Sequence, residues 1–116
     1  MENLISILLH SITQTHVFHL QTKSYAEHIA LNEFYDGMVG LVDRLAEGYQ
    51  GKYGVQKFKN ISGLENYESK EQVIEYLLKL DKIINTNKPE DSFLVAIIDD
   101  IQELLYSTKY KLENLA

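Results

Sequence analysis

SYAEHIALNEFYDGMVGLVDRLAEGYQ, residues 24–50, carries apolar side chains at helical period over its whole length. Leu31, Phe34, Met38, Leu41, Val42, Leu45 and Tyr49 recur at spacings of three and four, which puts them on one face of an α-helix. Ser24 is placed to cap the helix, and Glu27, three residues on, would complete a capping box. A second stripe runs beside the apolar one. At 100° per residue, His28, Asn32, Asp36, Asp43 and Glu47 fall within roughly 100° of arc. Gly37 and Gly40 sit on the far side, each costing roughly 1 kcal/mol of helix propensity relative to alanine. A close approach by another helix would compensate.

Upstream, Glu2 to Leu20 reads as a second helix. Ile5, Leu9, Ile12, His16 and His19 share one face, Leu4 and Leu8 widen it, and His10 points away toward solvent. The stripe begins aliphatic and ends in histidine. Downstream, Gly51 to Ser69 is irregular and punctuated by Gly51, Gly54 and Gly63. Its length suits a crossover along a bundle, and Tyr53, Phe58 and Tyr67 would pack it down. Lys70 to Thr86 carries Val73, Tyr76, Leu77, Leu80, Ile83 and Ile84 at core spacing. A last helix opens at Pro89, with Glu90 and Asp91 in its first turn and an apolar stripe from Leu94 through Leu105. The predicted helices are about 2–20, 24–50, 70–87 and 89–114, with a 51–69 connection between the second and third. Such a chain is an all-α antiparallel four-helix bundle of the ferritin-like kind, one domain over 1–116.

Composition bounds the rest. The 116 residues include no cysteine, which excludes disulfides and thiolate metal sites and fits a reducing, cytoplasmic compartment. No apolar run approaches the ~20 residues of a membrane span, and Glu2 and Asn3 stand where a signal peptide would be basic. A net charge of -6 argues against direct nucleic-acid binding as the main activity. Local basic patches remain around Lys52, Lys57 and Lys59. No nucleophile, P-loop or dinucleotide motif is present.

The candidate chemistry lies in the histidines and the acidic stripe. His16 and His19 end one helix and His28 opens the next, so a short connection brings all three together. Imidazoles with carboxylates suit iron or manganese. The simpler readings are partly buried core histidines and a solvated acidic face.

The order His16, His28, Asp43, Glu47, with spacings of twelve, fifteen and four, resembles the ferroxidase set of Dps-type mini-ferritins. The text His19-Leu20-Gln21-Thr22-Lys23 is also similar to that family's His-Trp-Asn-Val-Lys-Gly. The spacing makes His16 the first histidine, whereas the text makes it His19, which is preferred because loops absorb deletions more readily than helices. The sequence departs from the pattern at Leu20, which replaces the tryptophan, and at Asn32, where a further aspartate is common. The first residues, Met1 to Leu9, carry no lysine or arginine, unlike that family's basic N-terminal tail. The stretch from Gln21 to His28, with Phe34-Tyr35-Asp36-Gly37, further resembles a small Dps-like bacteriophage family of unknown function.

The resemblance implies an iron site between two subunits, with His19 or His16 and His28 from one chain and Asp43 and Glu47 from the other; Asp36 is a further candidate ligand from the acidic stripe itself. It implies a homo-oligomer, at least a dimer, binding iron, with manganese or no metal as alternatives, and oxidising iron(II) with peroxide or dioxygen. The other class is a non-catalytic oligomeric bundle that sequesters a small molecule or blocks a host protein. Tyr25, Tyr35, Tyr49 and Tyr53 would then line a pocket or interface, although tyrosines usually pack with the hydroxyl at the surface.

Overall fold

The computed structural model describes residues 1–116 as four helices with no strand: α1 (Glu2–Gln21), α2 (Tyr25–Tyr53), α3 (Lys70–Thr86) and α4 (Ser92–Asn114). At ~1.5 Å per residue, the 29 residues of α2 run the full 43 Å long axis of the molecule. α2 packs against α1 on one side and α4 on the other. The ion pairs Glu33–Lys111, Arg44–Asp100 and Lys52–Asp91 tie α2 to α4 in antiparallel register. The 54–69 segment returns along α1 to the end where α2 began, so α3 runs parallel to α2 and α4 antiparallel to α3. One long crossover in a four-helix bundle is the connectivity of ferritin-like bundles. All four helices contribute to one core. Phe18 is fully buried and meets the edges of Tyr67 and Tyr76 at 6.4 and 5.8 Å. Burial pushes the Tyr76 hydroxyl pKa up.

The helix ends depart from the sequence expectation in two places. α2 continues three residues past Gln50 to Tyr53 and stops at Gly54, whose φ of +89° favours glycine. α4 begins at Ser92, not Pro89, leaving Pro89 and Glu90 outside the helix. Asp91 occupies the N-cap position, but its carboxylate bonds Lys52 and the Tyr53 hydroxyl rather than the first amides of α4. Ser24 caps α2 as expected, accepting from the Glu27 amide at 3.3 Å. Glu27 does not close the box: it accepts from the hydroxyls of Thr22 and Tyr67 instead.

α1 is rotated from its expected orientation. Leu9 and His16 are exposed, and Ser11, Gln14, Thr15 and Phe18 take the interior. The reason is local. Ser11 and Thr15 donate their hydroxyls to the carbonyls of Leu8 and Ser11 at 2.6 and 2.7 Å, so both enter the core with their polarity satisfied. Gly37 also differs from the outward placement expected of it. A Cβ there would meet Leu104 Cδ2 at 2.8 Å, so the close approach it permits is to α4 of the same chain. Gly40 does face open space.

The crossover is fastened to α1 by polar side chains. Ser6 accepts from the Lys59 amide at 3.1 Å, and His10, expected in solvent, bonds the Gly63 carbonyl through Nε2 at 2.7 Å. The Gln14 carboxamide donates to the carbonyl and accepts from the amide of Glu65, and Gln21 accepts from the Tyr67 amide. Ser6, His10, Gln14 and Gln21 lie at spacings of four, four and seven, a single stripe of α1.

Candidate metal centre

The α1–α2 turn gathers the histidines as expected. The rings of His19 and His28 stack with centroids 3.6 Å apart and planes 19° apart. His19 Nδ1 lies 2.7 Å from the backbone carbonyl oxygen of His28, and His28 Nδ1 lies 2.9 Å from that of His19. A carbonyl oxygen only accepts, so both Nδ1 atoms carry the proton. In the neutral rings, Nε2 is then the free lone pair. The contact serves the fold as well, because the His19 carbonyl is one of the last four of α1 and lacks a helical donor. His16 is exposed, 5.7 Å from the ring of His19 and stacked at 4.5 Å on Tyr35.

Tyr25 and Tyr35 flank the cluster. The Tyr25 ring is 6.4 Å from that of His28, and the Tyr35 ring meets His19 edge-on at 5.3 Å. The Tyr35 hydroxyl donates to Asn32, which in turn donates to Asp36. Partial burial, and then the charge of Asp36, raise the Tyr35 pKa. Tyr35 is seven residues after His28, the one sequence signal that would have added it to the cluster.

The carboxylates lie elsewhere. Asp36, Asp43 and Glu47 are exposed on α2. Asp43 and Glu47 follow His28 by fifteen and nineteen residues, about 22 and 28 Å along the helix axis. The Asp43 carboxylate, one turn before Glu47, raises the Glu47 pKa through a shared hydrogen bond and then by charge repulsion. No group of three or more histidine, aspartate or glutamate side chains within one chain is arranged to hold a metal ion. Nor does any buried side-chain polar atom lack a hydrogen-bond partner, so burial alone creates no demand for one.

Sequence reading also passed over Asp81. It is 8% exposed on the core stripe of α3 and accepts from Gln102 and Tyr106 of α4 at 2.9 and 2.7 Å. Its place in the series Leu77, Asp81, Ile84 marks it as inward-facing. With every oxygen bonded inside the chain, it is an α3–α4 fastener.

The chain is similar to the "uncharacterized 14.6 kDa protein in mobD-ri intergenic region" of Enterobacteria phage T4, at 25% identity over 93% of this chain and 84% of that protein. No solved structure matches it. A family model, described as a family of unknown function, matches residues 19–112, a span that takes in the histidine pair, the acidic stripe and the two last helices. The likeness to a phage type of protein is therefore supported at the level of a family whose chemistry is open, and on the breadth of that match the chain belongs to the family of unknown function DUF5856.

Proposed function

We propose that the protein is a homodimer that binds iron(II), or manganese(II) in its place, at two equivalent sites shared between subunits. His19 and His28 of one chain, with exposed His16 beside them, would supply imidazoles, and Asp43 and Glu47 of the other would supply carboxylates. Peroxide or dioxygen would take electrons from iron(II) held there, which is what the Dps-type resemblance implies.

The observation that carries the reading is the anchoring of both Nδ1 atoms on backbone carbonyls. Metal-ligating histidines characteristically donate their other ring N–H in this way, which orients the ring and leaves Nε2 for the metal. The carboxylates fit from their side: Asp43 and Glu47 repel one another, and a cation between them would relieve that repulsion. The stripe geometry fits as well. His28, Asn32, Asp36, Val39 and Asp43 follow each other at spacings of four, four, three and four. A two-fold axis crossing α2 near Asp36 would bring each His28 opposite the other chain's Asp43 and Glu47. Val39 and, on α1, Leu20 are 54% and 68% exposed and would supply apolar contact.

The test is anaerobic iron(II) binding by the purified protein, with His28→Ala and Glu47→Ala alongside, followed by peroxide addition. Binding near one ion per chain, lost in both variants, supports the reading. Binding no greater in the unmutated protein than in the variants refutes it and leaves a non-catalytic binding protein as the better account of the bundle.

A further inference from the structure

The acidic residues are distributed unevenly. No aspartate or glutamate occurs between Glu2 and Glu27, or between Glu47 and Glu65. The first stretch covers α1 after Glu2, the second the end of α2 and most of the crossover, and the fold lays α1 and the crossover side by side through the Ser6–Lys59 and His10–Gly63 bonds. In a chain of net charge -6, the face they form carries no carboxylate beyond Glu2, one turn before Ser6, whose carboxylate lies 3.7 Å from the N-terminal ammonium. It does carry Lys57 and Lys59, neither of which joins any ion pair.

A hollow of about 460 Å³ opens on this face between the first half of α1 and the crossover. That volume is within the range of small-molecule sites, roughly 300–1,000 Å³. Its apolar lining is Leu9, Phe58, Ile61 and Leu64, between 36% and 50% exposed. Four large apolar side chains left in water around one concavity constitute surface that a ligand would remove from solvent. The polar lining includes Thr13, Lys59 and Asn60, and Lys59 bonds Ser6 through its backbone amide while its side chain joins no ion pair.

We propose that this hollow binds a small amphipathic anion, its aromatic or alkyl body against Phe58 and its neighbours and its charged head at Lys59. The site is independent of the histidine pair, which lies at the other end of α1. An uncharged ligand would leave Lys59 unused, and a cation would be repelled by it.

Two fluorescent probes with one aromatic body test this: the anion 8-anilinonaphthalene-1-sulfonate and the neutral N-phenyl-1-naphthylamine. The sulfonate should bind saturably, with backbone amide shifts confined to residues 6–13 and 58–64. Lys59→Glu, which keeps the backbone bond to Ser6, should weaken the sulfonate by about tenfold and the neutral probe by less than about twofold. Phe58→Ala should weaken both, with helical circular dichroism unchanged in each variant. Lys88→Glu, at the α3–α4 turn, is the charge control and should leave both as they are. Absence of saturable sulfonate binding, equal effects of Lys59→Glu and Lys88→Glu, or amide shifts centred elsewhere would each overturn the proposal.

Discussion

His19 and His28 hold each other by the same contact in both directions, each ring donating Nδ1–H to the other residue's carbonyl. The pair closes the α1–α2 turn and defines which ring nitrogen is free. Long-range nitrogen–proton NMR spectra of the metal-free protein at neutral pH are expected to show protonated Nδ1 and unprotonated Nε2 in both residues. Nε2–H tautomers would remove the structural basis of the metal reading. His28→Ala should also cost about 1–2 kcal/mol of stability, because it leaves the α1 terminus without its side-chain donor.

Glu47 gives a pH-dependent prediction. Asp43 raises its folded-state pKa above the ordinary 4.5, so the ionised form is less favourable in the folded chain than in the unfolded one. This penalty is absent at acid pH and appears as pH rises through the raised value. Glu47→Gln should therefore increase the melting temperature of the metal-free protein at pH 7, with the gain vanishing below pH 4.5. Saturating manganese(II) should reverse the order at pH 7 by stabilising only the unmutated protein. An unchanged order would count against a cation at Asp43 and Glu47.

The two helical glycines should behave oppositely. Gly40 has open space around it, so Gly40→Ala should stabilise the chain by about 0.5–1 kcal/mol in denaturant unfolding. Gly37 faces Leu104, and Gly37→Leu should destabilise by about 1–3 kcal/mol through overpacking against α4. Equal effects at both positions would contradict the α2–α4 packing described.

The crossover should depend on Gln14. Gln14→Ala leaves the Glu65 amide and carbonyl without their partner, at a cost of about 1–3 kcal/mol. Limited proteolysis of this variant should cut first within 54–69 while the four helices persist. Cleavage beginning inside α1 would show that the crossover is not separately fastened.

Much of the fold was legible because α2, α3 and α4 follow simple hydrophobic period, with Leu31, Leu77, Ile98 and their neighbours where the spacing puts them. α1 was misread by part of a turn because Ser11 and Thr15 are buried, and hydroxyls that bond their own helix look polar in a sequence but pack as if apolar. The start of α4 was missed because Asp91 serves Lys52 and Tyr53, partners from a helix whose end lies 38 residues away in sequence. At the candidate site, the meeting of His19 and His28 followed from a short turn between two helix ends. Their reciprocal backbone bonds could not be read, since spacing gives proximity and says nothing of ring orientation. The distance from the histidines to Asp43 was readable from helical rise alone. Whether a second chain spans it is a property of a surface, and a single sequence encodes that weakly.

A metal site shared between chains can be rebuilt by mixing two variants that each lack one half of it. His28→Ala and Glu47→Ala each remove one side of every site in their own homodimer. In a mixed dimer, one site carries both substitutions and the other carries neither. After unfolding and refolding an equimolar mixture, random pairing should restore about one quarter of the unmutated iron(II) capacity, although neither variant binds alone. Iron binding by the mixture no greater than that of the separate variants, with the unmutated protein binding normally, would contradict a site shared between subunits.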